Sequence, residues 1–316
     1  MLSIPSVKPV EHFVTLFDSN FLSIGMCLHA SLMAHGQPFH LWILCMDELV
    51  EEQLRRLDLS YVSLIPLREA ESDALLEVKK DRTRGEYCWT LTPFSPQFVF
   101  DRDQTVKRVT YLDTDIFFFD SPQILLEEFE KSGKHVLITE HAYAPEYNHS
   151  ITAGRFCVQF MTFCRTNESN EVMRWWQDRC LEWCFARYED GKFGDQRYLD
   201  DWPERFPNAV HVLHQKEKTF APWNVDFFLE AGCSPVFFHF QGLRIFSPKK
   251  VQLYAGYHVN KGHRFYLEYM AVLRKVILLA NNKGIPLKVA PVSKERFHTL
   301  RTIIRTLIGI TKYARL

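Results

Sequence analysis

Residues 111–122 read YLDTDIFFFDSP. An apolar, β-prone run, Val109-Thr110-Tyr111-Leu112, ends in two carboxylates at i and i+2, Asp113 and Asp115, and apolar residues resume at once. Two unpaired acids in apolar surroundings are costly unless a cation accompanies them. Carboxylate oxygens suit Mg²⁺ or Mn²⁺, and these ions bridge phosphate oxygens. In open α/β sheets the carboxyl ends of strands are where ligands bind. Departure of a nucleoside diphosphate leaves concentrated negative charge, which a bound metal stabilises as a Lewis acid. The plainer alternative is a turn in which two aspartates end a strand; the apolar flanks favour the metal.

On the amino-terminal side, HFVTLF (12–17), 41–45 and 62–66 read as buried strands, alternating with helices over 22–33 and 50–57. This β-α-β-α-β order predicts an α/β fold with a mostly parallel central sheet and helices on both faces. A charged segment, KKDRTRGE (79–86), precedes a helix expected over 89–100. On the carboxyl side, 136–139, 157–163 and VFFHF (236–240) read as further strands. A Trp-rich helix is expected over 168–190, closed by Gly191 and Gly194.

Of the 316 residues, 47% are hydrophobic, enough for a large core. Lys+Arg and Asp+Glu balance at 38 each, which argues against an electrostatic grip on nucleic acid. No stretch reaches the roughly 20 apolar residues that span a bilayer, and the first residues do not read as a signal peptide, so a cytoplasmic protein is expected. The eight cysteines form no C-x-x-C pair; Cys180 and Cys184, one helical turn apart, read as buried small side chains rather than metal ligands.

The region around YLDTDIFF resembles the retaining nucleotide-sugar glycosyltransferases of family eight, which include glycogenin and bacterial lipopolysaccharide galactosyltransferases. Further segments fall in that family's order. FVTLFDSN (13–20) resembles its first strand and nucleotide loop, and EYCWTLTPF (86–94) the helix before the D-x-D strand. FGDQRYLDD (193–201) resembles its G-D-Q segment, and FHFQGLRIF (238–246) its H-x-x-G-x-x-K-P-W segment. The resemblance covers roughly residues 12–250.

It implies a GT-A domain that moves a sugar from a nucleotide-diphosphate donor, a UDP-sugar, to a glycan or lipid-linked acceptor with retention, using Mn²⁺ or Mg²⁺. Asp113, Asp115 and His239 would bind the metal. Thr15, Asp18 and Asn20 would line the base and ribose pocket, and Gly242 would let the backbone approach the diphosphate. Asp195 and Gln196 would lie on the reactive side of the donor sugar. Arg84 and Arg244 are the cations singled out to offset the diphosphate, since Arg grips phosphate in two-pronged fashion. His239 has independent support: an imidazole in an apolar strand needs a partner, and it is a competent Mn²⁺ ligand.

The chain departs from the family at two places. The family's lysine falls at Ile245. The strand that carries Asn-x-Gly there reads Phe156-Cys157-Val158-Gln159 here.

A domain over 10–250 is expected, then a helical extension over 251–316. Between Ser293 and Leu316, Phe297, Leu300, Ile303, Ile304, Leu307 and Ile308 recur at helical spacing among basic residues. This basic amphipathic tail suits either an anionic membrane surface, for an enzyme building surface glycans at the inner face, or docking on the domain. Two rivals stand beside the transferase. One is a haloacid-dehalogenase-type phosphatase, with Gly194-Asp195 and Asp200 as its second motif. The other is a degenerate sugar-nucleotide-binding module.

Overall fold

The computed structural model describes residues 9–289 and 309–316. In chain order the strands are β1 Glu11–Phe17, β2 Phe39–Cys45, β3 Val62–Pro66, β4 Arg108–Leu112, β5 Ile116–Phe118, β6 Val136–Glu140, β7 Phe156–Cys164, β8 Val210–Val212, β9 Thr219–Phe220, β10 Phe237–His239, β11 Arg244–Ser247, β12 Lys250–Ala255 and β13 Thr311–Ala314. The helices are α1 Leu22–His35, α2 Glu48–Leu57, α3 Leu67–Ala70, α4 Asp73–Lys79, α5 Arg84–Leu91, α6 Ser95–Arg102, α7 Gln123–Ser132, α8 Ser150–Ala153, α9 Asn167–Glu182, α10 Trp202–Arg205, α11 Val225–Glu230 and α12 His263–Asn282.

Among the described residues the main sheet has seven strands in the order β3-β2-β1-β4-β7-β6-β8. β1 to β4 run parallel, as the alternation of strands and helices predicts; β7 runs antiparallel to both β4 and β6. The chain steps outward from β1 to β3 and then returns to the other side of β1 as β4. That reversal makes a switch point between β1 and β4, and at such points open α/β sheets bind ligands beyond the strands' carboxyl ends. β1 runs into Asp18-Ser19-Asn20 there, and β4 into Asp113-Thr114-Asp115.

Successive side chains on a strand face opposite sides, so each sheet face has its own core. Phe13, Leu41, Ile43 and Phe160 pack with α1 and α12 on one face. Val14, Leu44, Tyr111 and Met161 pack with α9 and Trp202 on the other.

Three expectations need correction. The helix expected over 89–100 is two, α5 and α6, because Pro93 and Pro96 lack the N–H a continuous helix requires. The helix expected over 168–190 stops at Glu182: Trp183 turns extended, and the Ala186 N–H goes to the Glu86 carboxylate. The tail does not end in a helix: Thr311–Ala314 is a strand paired with β12, so Lys312 lies in a sheet. The remainder of that tail, 293–308, falls outside the described residues.

The expected division after residue 250 falls just inside β12, whose Lys250 pairs with Ser247 of β11. Leu273 and Tyr269 of α12 share a core with Phe13 and Leu41. No helix among the described residues is long and apolar enough to cross a membrane.

Candidate active site at the switch point

Strand register brings the sequence motifs together. β5 follows directly on Asp115 and pairs with β10 so that Ile116 lies opposite His239, while Phe240 N–H donates to the Asp115 carbonyl. His239 Nε2 is therefore 3.1 Å from Asp115 Oδ1 and 3.6 Å from Asp113 Oδ2. The imidazole is buried, whereas the Asp113 and Asp115 side chains keep 28% and 17% of their exposure, so the cluster is open on the carboxylate side.

Around it, Tyr111 OH donates to Asp113 Oδ1 (3.0 Å), and the Asp113 N–H donates to the Gln159 carbonyl. His239 Nδ1 donates to the buried Gln159 Oε1 at 2.7 Å, which leaves Nε2 aimed at the two aspartates.

The electrostatics are those of a compact charged cluster. Burial pushes Asp113 above the usual carboxylate range; His239 opposes this and Asp115 adds to it. Asp115 also suffers burial, but His239 and then Arg244 outweigh it and hold the carboxyl below its ordinary value. Burial alone would depress His239; the Asp115 carboxylate reverses that and holds the imidazole well above its ordinary range. The two acids thus bias the imidazole toward its protonated form.

The other expected residues divide into groups. Thr15 Oγ1 lies 3.1 Å from Thr114 Oγ1, and Thr114 donates to the Leu16 carbonyl, tying β1 to the D-x-D turn. Asp18 accepts from the Asn20 backbone and side chain and from Arg84 Nη1 at 2.6 Å. Arg84 is therefore committed to the loop after β1 rather than to the cluster at Asp113. Arg244 stays near Asp115, with its guanidinium over the Phe21 ring. Gly242 has φ +83°, a conformation that L side chains rarely adopt.

Asp195 is buried, and its carboxyl is raised well above the usual range by burial first and by the Asp113 charge next, which marks the two as neighbours. The Gln196 side-chain amide donates to the Ala153 carbonyl at 2.6 Å. Gly194, φ +54°, passes under Trp89, where an added Cβ would meet the indole at 3.3 Å.

Other residues around the cluster were assigned no role there by the sequence, or only a loose one. Cys157 Sγ, His239 and Asp113 each offer a ligand atom, all within 4.8 Å of one another. Burial pushes the Cys157 thiol up, but the imidazoles of His141 and His239 more than offset this and bring it to about 6. Lys288 donates to Ser19 Oγ at 2.7 Å, which adds a cation to the loop after β1. An aromatic row leaves the cluster: Trp223 lies 5.7 Å from His239, Tyr143 5.7 Å from Trp223, and Tyr143 stacks on His141 at 4.7 Å. Tyr143, Arg155, Lys216 and Phe227 line a cavity of about 470 Å³ beyond it. Ile245, at the family's lysine position, is buried in the core. Lys79 and Lys80, at the end of α4, pair with Glu71 and Glu77.

The architecture is that of GT-A glycosyltransferases. Galactosyltransferase LgtC, solved in complex with donor and acceptor sugar analogs, superposes with a TM-score of 0.53 over 90% of this chain and 98% of its own, at 12% identity. Mouse xyloside xylosyltransferase 1 matches with a TM-score of 0.50 over 73% of this chain and 98% of its own, at 16% identity. This fold does not favour the phosphatase alternative, and Asp200 is occupied by Arg197 and the Arg155 N–H. No family model matches the chain. Bacillus subtilis (strain 168) YfnF, described as an uncharacterized protein, is 31% identical over 255 residues, which cover 76% of this chain and 84% of YfnF. On that similarity, and with a GT-A architecture and an Asp-His cluster at its switch point, the chain belongs to the family of YfnF.

Proposed function

We propose that the protein is a metal-dependent glycosyltransferase that moves a sugar from a nucleoside-diphosphate donor to a glycan or lipid-linked acceptor. The observation that carries this reading is His239 Nε2 lying 3.1 and 3.6 Å from carboxylate oxygens of Asp115 and Asp113 at the carboxyl edge of β4. Two carboxylates and one imidazole whose Nδ1 is already engaged form a donor set that fits Mn²⁺, and Mg²⁺ less well because it prefers oxygen. A divalent ion held there would offset the charge on the departing diphosphate.

The chain's own residues supply the rest of the binding. Arg244 beside Asp115 and Lys288 at Ser19 are cations suited to phosphate oxygens, and they take the part for which Ile245 is unfit. Thr15, Asp18 and Asn20 are assigned to the base and ribose, Gly242 to the diphosphate, and Asp195 and Gln196 to the sugar side. A uridine nucleotide and retention of configuration follow from the family-eight resemblance. Tyr143 and Phe227, which line the cavity past Trp223, suit the apolar face of an acceptor sugar. Gln159 answers one of the sequence's departures, since it holds His239 where the family's strand carries another residue.

Asp115→Asn tests the reading. Mn²⁺-dependent hydrolysis or transfer from nucleotide sugars should fall by at least about a hundredfold with the melting curve intact, the scale on which electrostatic stabilisation of a leaving charge operates. Full turnover in the variant, or in excess chelator, would refute the metal assignment. Nucleotide binding with no turnover on any acceptor would instead favour the binding-module reading.

A further inference from the structure

We infer that Cys157 is a ligand of the divalent ion, so that the site binds through oxygen, nitrogen and sulfur rather than through carboxylates and imidazole alone. This rests on the metal reading above and deepens it, by naming the ion class the site would take.

The geometry begins with β7. Cys157 and Gln159 are two residues apart on one strand and so emerge on the same face of the sheet. β4 pairs with β7 so that Leu112 lies opposite Phe160, and just beyond this pair the Asp113 N–H donates to the Gln159 carbonyl, which sets Gln159 beside Asp113. Gln159 takes the Nδ1 side of His239. Cys157 Sγ lies within 4.8 Å of ligand atoms from both His239 and Asp113.

A metal–sulfur bond is about 2.3 Å and a metal–imidazole bond about 2.0–2.1 Å, so two such donors on opposite sides of one ion stand about 4.4 Å apart. Donor atoms that lie within 4.8 Å of one another can converge on one ion by side-chain adjustment. Cys157 is 3% exposed, so solvent does not compete for the sulfur from outside. On ligation the thiol gives up its proton to solvent or buffer and binds as thiolate.

A thiolate in the set changes which ions are preferred. Sulfur favours borderline ions such as Co²⁺ and Zn²⁺ and tolerates Mn²⁺, whereas Mg²⁺ gains little from it. The residue that departs from the family's Asn-x-Gly strand would thus set ion choice.

Cobalt is the probe, because it reports both its coordination and its sulfur ligands by absorption. Apo protein of full length is titrated with Co²⁺ in a reductant without thiols. The wild type should show visible d–d bands and, at one equivalent, a near-ultraviolet thiolate-to-cobalt charge-transfer band. Cys157→Ser should keep the d–d bands, lose the charge-transfer band, and bind Co²⁺ at least about tenfold more weakly, while Mg²⁺ affinity changes little. His239→Ala should lose both sets of bands, which assigns them to this site rather than to the other cysteines. Retained d–d bands with no charge-transfer band in the wild type would overturn the thiolate and leave the metal site standing. A charge-transfer band that survives in Cys157→Ser would do the same. No cobalt spectrum at all in folded wild type would overturn both.

Discussion

Gln159 decides how His239 can act. Its side-chain oxygen, 2.7 Å from Nδ1, holds the proton there and leaves Nε2 for the carboxylate side, where a metal would sit. Groups that orient a metal-bound imidazole typically change metal affinity by about 10–100-fold when removed. Gln159→Leu should therefore weaken Mn²⁺ binding by about that factor, read by calorimetric titration. It also strands a buried N–H, which costs about 1–3 kcal/mol of stability. Gln159→Glu, which keeps an acceptor, should retain most of the affinity. Equal affinities in the wild type and the Leu variant would show that the amide does not position the ring. The sequence flagged Asp113, Asp115 and His239 because each is a chemically conspicuous residue in an apolar run. Cys157 and Gln159 stand in the sequence only as departures from the family's Asn-x-Gly. What the sequence lacked was tertiary contact: only the fold sets Gln159 on His239 Nδ1 and Cys157 near Asp113 and His239.

At the scale of elements, α7 is clamped to the end of β8 by one carboxylate. Glu128 accepts from His211 Nε2 and from the backbone N–H groups of His214 and Gln215. Burial raises its pKa, but those donors, the His214 N–H foremost, outweigh it and hold Glu128 below the ordinary glutamate range. An unfolded glutamate titrates near about 4.3. The folded value is lower, so the clamp's contribution is complete above that pH and is lost as pH falls through the folded value. Glu128→Gln should be less stable at neutral pH and should lose less stability than the wild type on acidification from about pH 5 to pH 3, followed by denaturant unfolding. Superimposable acid profiles would contradict the clamp. The same scale explains the misread helices. Apolar periodicity continued through 89–100 and 168–190, but Pro93 and Pro96 interrupt the first, and the contact of Ala186 with Glu86 ends the second. The prolines were visible in the sequence; the partner of Ala186, a hundred residues earlier, was not.

Over the whole molecule, the first β-α-β units were legible because parallel strands buried on both faces read as continuous apolar runs. The carboxyl-terminal part was not, since its role depends on what it packs against. α12 buries Tyr266, Tyr269 and Leu273 against α1 and the sheet, β13 completes a sheet begun by β11, and Lys288 reaches back to Ser19. An independent extension beyond residue 250 would unfold by itself. Leu273→Ala, at a fully buried position, should instead lower the stability of the whole chain by about 2–5 kcal/mol in one cooperative transition. An early separate transition, with the main one unchanged, would show that the extension unfolds apart from the domain.

The proposed function requires that a divalent ion held by Asp113, Asp115 and His239 join the protein to a nucleoside diphosphate. It is tested most directly by calorimetric titration of UDP into the protein, with Mn²⁺ and then with chelator. Binding should be saturable with Mn²⁺, fall by at least about tenfold in affinity without it, and be equally weak in Asp115→Asn under both conditions. UDP affinity that is the same with and without metal, in wild type and variant alike, would contradict the account.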